Sequence, residues 1–547
     1  MIVKRIYILS FLLAVALRVT AQNAVPANDT VIKGASIEVV QSYKPEVKQV
    51  PKPQYKPTLP PADTSRLSFS YEVPQQTLYY TYGSMPLRPL ALGKDSVQPP
   101  FPDYVKFGGG NLSTIYLDAG FGHFQGQDYE TAIHLHHISQ QGDIKNQQSA
   151  LSGVEAEGIL HRNGDDWRAT LSAERNQYNY YGYNHSLYDY SSAQVKQTYT
   201  SIRANVDMRH QEDGVGKLNY DPSATISVYG AKSNVSEATF GFMAPFTYGI
   251  DTSLQAQLSL NAIFTQLSAG NVNAGNNIVM LTPGFNFHKE AFSGHLFLDP
   301  AVGKSGATLL EDMVAAYSIP KTSMTVSGGW QASLRQNTYE QLSSENPYIF
   351  QPSYSGLYSI QQTRKDEVFA NILGSAGEHL SYSARASWWA YGSLPVFLSN
   401  YGDQKQFYIL YDNVKAVSLQ GNLRYQVANI FSAGVSAAYF NFNNGSLPHV
   451  WGEPATKLKG DLLFRPLTKL TITGYLAVLG GIYEKDIYGN TLKLKPVLDI
   501  GGSAEYALLD RLSVFLQINN IFDNKYQRWL GYQAYGINIY GGLRLKF

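Results

Sequence analysis

The sequence predicts an all-β fold: a large antiparallel transmembrane β-barrel of about 20–22 strands behind a Pro-rich N-terminal periplasmic segment. Three observations predict it. Charged residues make up only 16% of the 547, while Tyr (40), Gly (47) and Phe (25) are plentiful. Beyond the first residues no apolar run approaches the roughly 20 needed for a spanning helix. From residue 103 onward, apolar residues recur with period two in segment after segment. A chain that enters lipid without spanning helices must pair all its backbone groups in a closed barrel.

The composition also excludes whole classes of function. Lys+Arg (43) and Asp+Glu (42) balance, so there is no bulk positive charge to hold nucleic acid. The absence of Cys removes disulfides, thiolate metal sites, thiol nucleophiles and lipidation on cysteine.

Residues 1–21 read as a signal peptide. Lys4 and Arg5 precede an apolar stretch from Ile6 to Leu17, and Val19-Thr20-Ala21 offers a cut after Ala21. Residues 22–102 read as a periplasmic arm or a lumen-filling segment. Within Ser42 to Pro61, Pro45, Pro51, Pro53, Pro57, Pro60 and Pro61 interleave with Lys44, Lys48, Lys52 and Lys56. Prolines this dense favour an extended polyproline-II segment. It serves either as a tether or as an arm docking on a partner or in the lumen. Ala35 to Val40 and Leu67 to Val73 alternate and could pair as strands once docked, and Pro86 to Leu90 is a further apolar, Pro-rich stretch.

Residues 103–547 read as the barrel. In Tyr535 to Phe547 one face takes Tyr535, Ile537, Ile539, Gly541, Leu543, Leu545 and Phe547; the other takes Asn538, Tyr540, Arg544 and Lys546. Apolar outward and polar or small inward is the pattern of a lipid-facing strand. Leu512 to Asn519, Leu470 to Val478, Val417 to Arg424, Leu254 to Ala262 and Trp167 to Glu174 repeat it. Connections alternate between short ones (residues 161–165, 465–468, 507–510) and long ones (177–195, 337–362, 392–413, 443–456, 481–492). Short periplasmic turns and long outer loops are the habit of outer-membrane barrels.

The segment Asn519-Asn520-Ile521-Phe522-Asp523-Asn524-Lys525-Tyr526, with Gly531-Tyr532 and Leu543 to Phe547, resembles the last two strands of TonB-dependent receptors. Leu543, Leu545 and the terminal Phe547 resemble the signal read by the barrel-assembly machinery. Tyr104 to Asn111, Ile133 to Ser139 and Tyr180 to Tyr183 resemble a Bacteroidetes group of plugless TonB-dependent receptor-like barrels. That resemblance implies transport across, or assembly of, the outer membrane with partner proteins. It implies outer-membrane lipid, the assembly machinery and a protein bound through residues 22–102 as partners. Receptors proper carry an N-terminal plug domain; here residues 22–102 are Pro-rich and lack a plug-like alternation of strands and helices. Asp29 to Gly34 resembles a TonB box. A passive diffusion porin and a TonB-coupled importer with a reduced plug remain as alternatives.

Catalytic chemistry finds little support. His134 and His136 share a strand face, but no carboxylate or third His follows at a spacing suited to a metal. The glycine pairs at Gly108 to Gly110, Gly480-Gly481 and Gly541-Gly542 sit in strand patterns, which signals curvature and not a phosphate loop. No nucleophile elbow, zinc-protease helix or acid pair occurs. The expectation is no enzyme, no cofactor and no metal. The predicted loops are aromatic, and Tyr178, Tyr180, Tyr181, Tyr183, Tyr348 and Tyr354 are the candidates for ligand contact. The competing reading of these tyrosines is an interfacial girdle with loops packed on one another.

Overall fold

The computed structural model describes residues 103–547 except 127, 163, 213, 233, 271, 353–359, 401, 403, 444 and 487. The predicted signal peptide and Pro-rich segment lie outside the described residues, as does Tyr354.

Twenty-four strand segments form one antiparallel sheet. Two crossings are each interrupted once, Leu218–Tyr220 with Ser223–Ala231 and Val272–Gly275 with Ile278–Lys289. The result is a closed barrel of 22 strands. Each strand pairs with its sequence neighbours, and the ring closes where the first strand, Tyr104–Gly110, pairs with the last, Asn538–Lys546. The register runs from Tyr104↔Lys546 to Gly110↔Tyr540, so no strand edge is left open.

The predicted faces are present. Trp167, Leu171, Leu258, Leu419, Leu516, Ile539, Leu543 and Leu545 are exposed on the outer wall, while Ser513, Phe515, Asn538 and Tyr540 are buried. The lumenal face carries ion pairs, Arg385 with Glu367 at 2.7 Å and Arg544 with Glu505 at 3.1 Å, and a hydrogen bond between His295 and Asp312 at 2.8 Å. His134 binds Asp118 at 3.0 Å and faces the His136 ring at 5.6 Å.

Two boundaries differ from expectation. The last strand begins at Asn538 instead of Tyr535. Asn520 donates to the Tyr535 carbonyl (2.9 Å) and Asp523 accepts from the Ile537 amide (2.8 Å), which ties these residues to a loop. The Tyr535 hydroxyl accordingly meets Ser149 Oγ at 3.1 Å and does not face outward. The predicted loop at 392–413 is mostly strand, because Leu380–Ser399 and Phe407–Val427 continue as one tall hairpin past a bulge between Tyr391 and Leu394. Its projecting part is covered: Val396, Leu398 and Val414 pack on Val450 and Trp451 of the next long connection. A loop-like sequence thus stays extended because a neighbour buries its apolar side.

Glycine is required at the closing seam. Gly108 pairs with Gly542 and Gly109 with Gly541. A Cβ on Gly542 would overlap the Phe107 carbonyl oxygen, and one on Gly110 the Ile539 carbonyl oxygen. Gly542→Val is therefore expected to abolish the folded, heat-modifiable band on electrophoresis without boiling. Gly158→Ala, where the nearest atom would be 4.0 Å away, should leave that band and the melting temperature unchanged.

Candidate functional site

The two ends of the barrel differ. Asp103 and Phe547 lie at the end that carries the short turns; the long connections 180–195, 337–361, 444–455, 481–496 and 520–537 all lie at the other. That second mouth is the candidate site.

Its centre is built by residues 337–352, which fold inward. Thr338 caps the short helix Tyr339–Glu345, its side chain accepting from the Gln341 amide. The wall then takes over. Both Glu237 oxygens accept helix amides, from Tyr339 (2.8 Å) and Glu340 (2.9 Å). The Tyr229 hydroxyl meets Ser343 Oγ at 2.7 Å, and the Tyr199 hydroxyl donates to the Pro347 carbonyl at 2.9 Å. Arg203 pairs with Glu340 at 3.0 Å. These wall residues point into the lumen, so the helix is held inside the ring.

Aromatic side chains from other loops close over it. Tyr532 stacks on Tyr348 with centroids 3.4 Å apart and meets Tyr181 edge-on at 4.9 Å. Trp529 meets Phe397 at 5.2 Å and Phe407 at 5.5 Å, both from the tall hairpin. One buried cluster thus runs from Tyr199, Tyr229 and Leu267 on one stretch of wall to Phe397 and Phe407 on another. A second holds Tyr180, Tyr183 and Val195. The Tyr180 hydroxyl donates to the Ile349 carbonyl at 3.1 Å. Burial pushes the Tyr180 phenol up to about 12 and those of Tyr339 and Tyr348 well above their ordinary value. All three are neutral hydrogen-bonding groups at any physiological pH. This arrangement fills space; among the described residues the buried polar groups named above are engaged with other parts of the cap.

The structure therefore brings five of the six predicted tyrosines together. Tyr180, Tyr181 and Tyr183 are buried, Tyr178 and Tyr348 half-buried, and their present partners are other loops. Sequence reasoning missed Glu237, Phe397, Phe407, Trp529 and Tyr532. Only the last two carried a signal, as large aromatics in a polar stretch just before the final strand. Leu543, Leu545 and Phe547 are exposed on the outer wall. Among the described residues no group of three or more His, Asp or Glu is placed to hold a metal.

No protein-family model and no curated protein matches the chain. Solved structures do. The FrpB iron transporter from Neisseria meningitidis is similar over 82% of both chains, with TM-score 0.63 and 11% identity. The siderophore receptor PirA from Acinetobacter baumannii matches over 83% of this chain and 81% of its own, with TM-score 0.62 and 9% identity. The pyoverdine outer-membrane receptor FpvA from Pseudomonas aeruginosa, bound to pyoverdine, matches over 83% and 79%, with TM-score 0.61 and 10% identity. The chain has the barrel fold of outer-membrane receptors. At these identities the likeness concerns the fold.

Tyr532 joins its own loop to three others, through Tyr348, Tyr181 and the Lys405 carbonyl. Tyr532→Ala is expected to loosen the mouth by about 3 kcal/mol, the usual cost of emptying a large aromatic site. Protease cleavage within 520–537 should rise more than tenfold while the melting temperature of the barrel wall stays unchanged.

Proposed function

We propose that this protein is an exported outer-membrane β-barrel, receptor-like but without a plug domain, that works with partner proteins in transport across, or assembly of, the outer membrane. One observation carries the choice between readings. The outer mouth is filled by the protein's own loops, hydrogen-bonded to the wall and packed through an aromatic core. A passive diffusion porin needs an open route, and these loops stand across it. A gated barrel needs a mouth that closes.

The remaining parts take their roles from this reading. Residues 1–21 direct export, and 22–102 form a periplasmic arm that engages a protein of the periplasm or outer membrane. Leu543, Leu545 and Phe547 present the assembly signal on the lipid side. Tyr178, Tyr180, Tyr181, Tyr183, Tyr348 and Tyr354 contact a ligand once the loops part. No catalytic step is involved. The importer alternative draws on its structural neighbours, which include an iron transporter and a siderophore receptor.

Planar-bilayer recording of the full-length protein tests the proposal. The expected result is no steady current at neutral pH, with the arm protected from protease and a protein copurifying through it. A steady large conductance would establish the porin reading instead. For the importer alternative, removing Asp29 to Gly34 should abolish uptake of a ferric siderophore; unchanged uptake of every ligand tested eliminates it.

A further inference from the structure

Four outer connections bring charge to one place in the cap. Glu345 ends the lumenal helix, Glu453 lies in 444–455, Glu484 in the short strand Tyr483–Lys485, and Arg528 in 520–537. Arg528 is the hub. It donates to the Gly452 carbonyl, lies 4.0 Å over the Trp529 ring and is attracted by all three carboxylates. The other charged groups nearby have their own partners. Lys457 pairs with Glu453 at 3.6 Å, Lys485 lies 5.3 Å over Trp451 and Lys493 lies 5.8 Å over Tyr483. His449 stacks on Tyr483 at 4.3 Å; burial and the neighbouring Glu453 raise Glu345 to about 7, against the pull of Arg335 and Arg528. Glu345 is exposed, whereas Glu484 is not.

Glu484 is the anomaly. Its side chain is fully buried, and neither carboxyl oxygen has a hydrogen bond of good geometry, the Ser399 amide being the one backbone donor near enough to act on it. The buried Ser399 hydroxyl, at the tip of the tall hairpin, is likewise without a partner. An isolated ionised carboxylate buried in this way costs several kcal/mol, so the group takes up a proton instead. Burial raises it from 4.5 to about 8, against the opposing influence of Arg528 and the nearby Ser399 amide.

We propose that Glu484 and Arg528, with Glu345 and Glu453, form a proton-operated latch on the outer mouth: the closed cap holds a proton that the opened loops release. The sign follows from linkage. The closed state binds the proton more tightly than the open one, so closure is fully favoured below the ordinary carboxylate value. It weakens as pH rises from 4.5 to about 8 and is level above that. This inference rests on the gated-barrel reading and names what works the gate.

Hydrogen exchange of the full-length protein in lipid nanodiscs tests it. Rates across 481–496 and 520–537 are measured from pH 5 to 9, each divided by the free-peptide rate at the same pH. Protection should fall with pH until near pH 8 and then level, by up to about tenfold per pH unit between pH 7 and 8, the limit for the one proton on Glu484, with Glu345 adding a second proton below pH 7. Glu484→Gln keeps the shape without the charge and should remove the slope between pH 7 and 8. Equal protection at pH 5 and pH 9, or a slope between pH 7 and 8 that survives in Glu484→Gln, overturns the latch. Bilayer currents on the same preparations separate the two ideas. Currents that appear only at alkaline pH support latch and gate together. Loops that loosen without any current uphold the latch and overturn the mouth as the barrier.

Discussion

The structure depends on one seam. A sheet in lipid cannot leave backbone amides and carbonyls unpaired, so everything else here presupposes that Tyr104–Gly110 finds Asn538–Lys546. Two pairs of facing glycines let the strands meet, and the rings of Tyr116, Phe515 and Tyr540 gather beside them, 5.3 to 6.4 Å apart. At the outer end Asn111 fastens the seam. Its amide donates to the Ile537 carbonyl and its oxygen accepts from the Ile539 amide, both at 2.7 Å. Asn538 adds a bond to Thr114 Oγ1 at 2.8 Å. These bonds also anchor the connection 520–537, which carries Trp529 and Tyr532. Closing the wall and building the cap are therefore linked.

A ring of 22 strands encloses a lumen too wide for wall side chains alone to fill. The outer loops respond by turning inward. The wall has residues waiting for them at lumenal positions near the rim: Glu237 for the helix amides, Tyr199 and Tyr229 for the loop's polar groups, Arg203 for Glu340. The helix Tyr339–Glu345 has only seven residues and would not hold alone in water. It exists because a wall carboxylate satisfies the amides at its start and aromatic rings cover its far side.

How much of this was legible depends on the range of the interaction. Wall residues are decided by parity: Leu543 and Arg544 face opposite ways whatever the rest of the chain does. A period-two pattern therefore reveals the barrel and its outward faces. Strand ends and cap contacts have no such local rule. Asn520 captures the backbone of Tyr535, and Trp451 keeps the hairpin around Val396 extended, through contacts that sequence spacing does not announce. The aromatic loop Tyr178 to Tyr190 was visible as composition, but its partner Tyr532 lies beyond most of the barrel. Glu484 gave no sign at all, since one glutamate between Tyr483 and Lys485 reads as solvated surface.

The charge cluster is where the cap departs from what stability alone would select. Aromatic stacking and apolar burial already join the loops, and both are nearly indifferent to pH. An apolar residue at position 484 would cost less than a carboxyl group with no hydrogen bond of good geometry, because buried charge rarely repays its desolvation. The carboxyl group is also placed where loops 337–361, 444–455, 481–496 and 520–537 converge, so a change there is felt by every part of the mouth. Arg528 sharpens the effect. With Glu484 protonated, the charge of Arg528 is shared with Glu345 and Glu453; with Glu484 ionised, the closed cap must hold a carboxylate cut off from water, and Arg528 is divided among three. That desolvation cost falls on the closed cap alone and is relieved when the loops part. The proton needed for closure thus gives the cap a sensitivity that its aromatic contacts cannot provide.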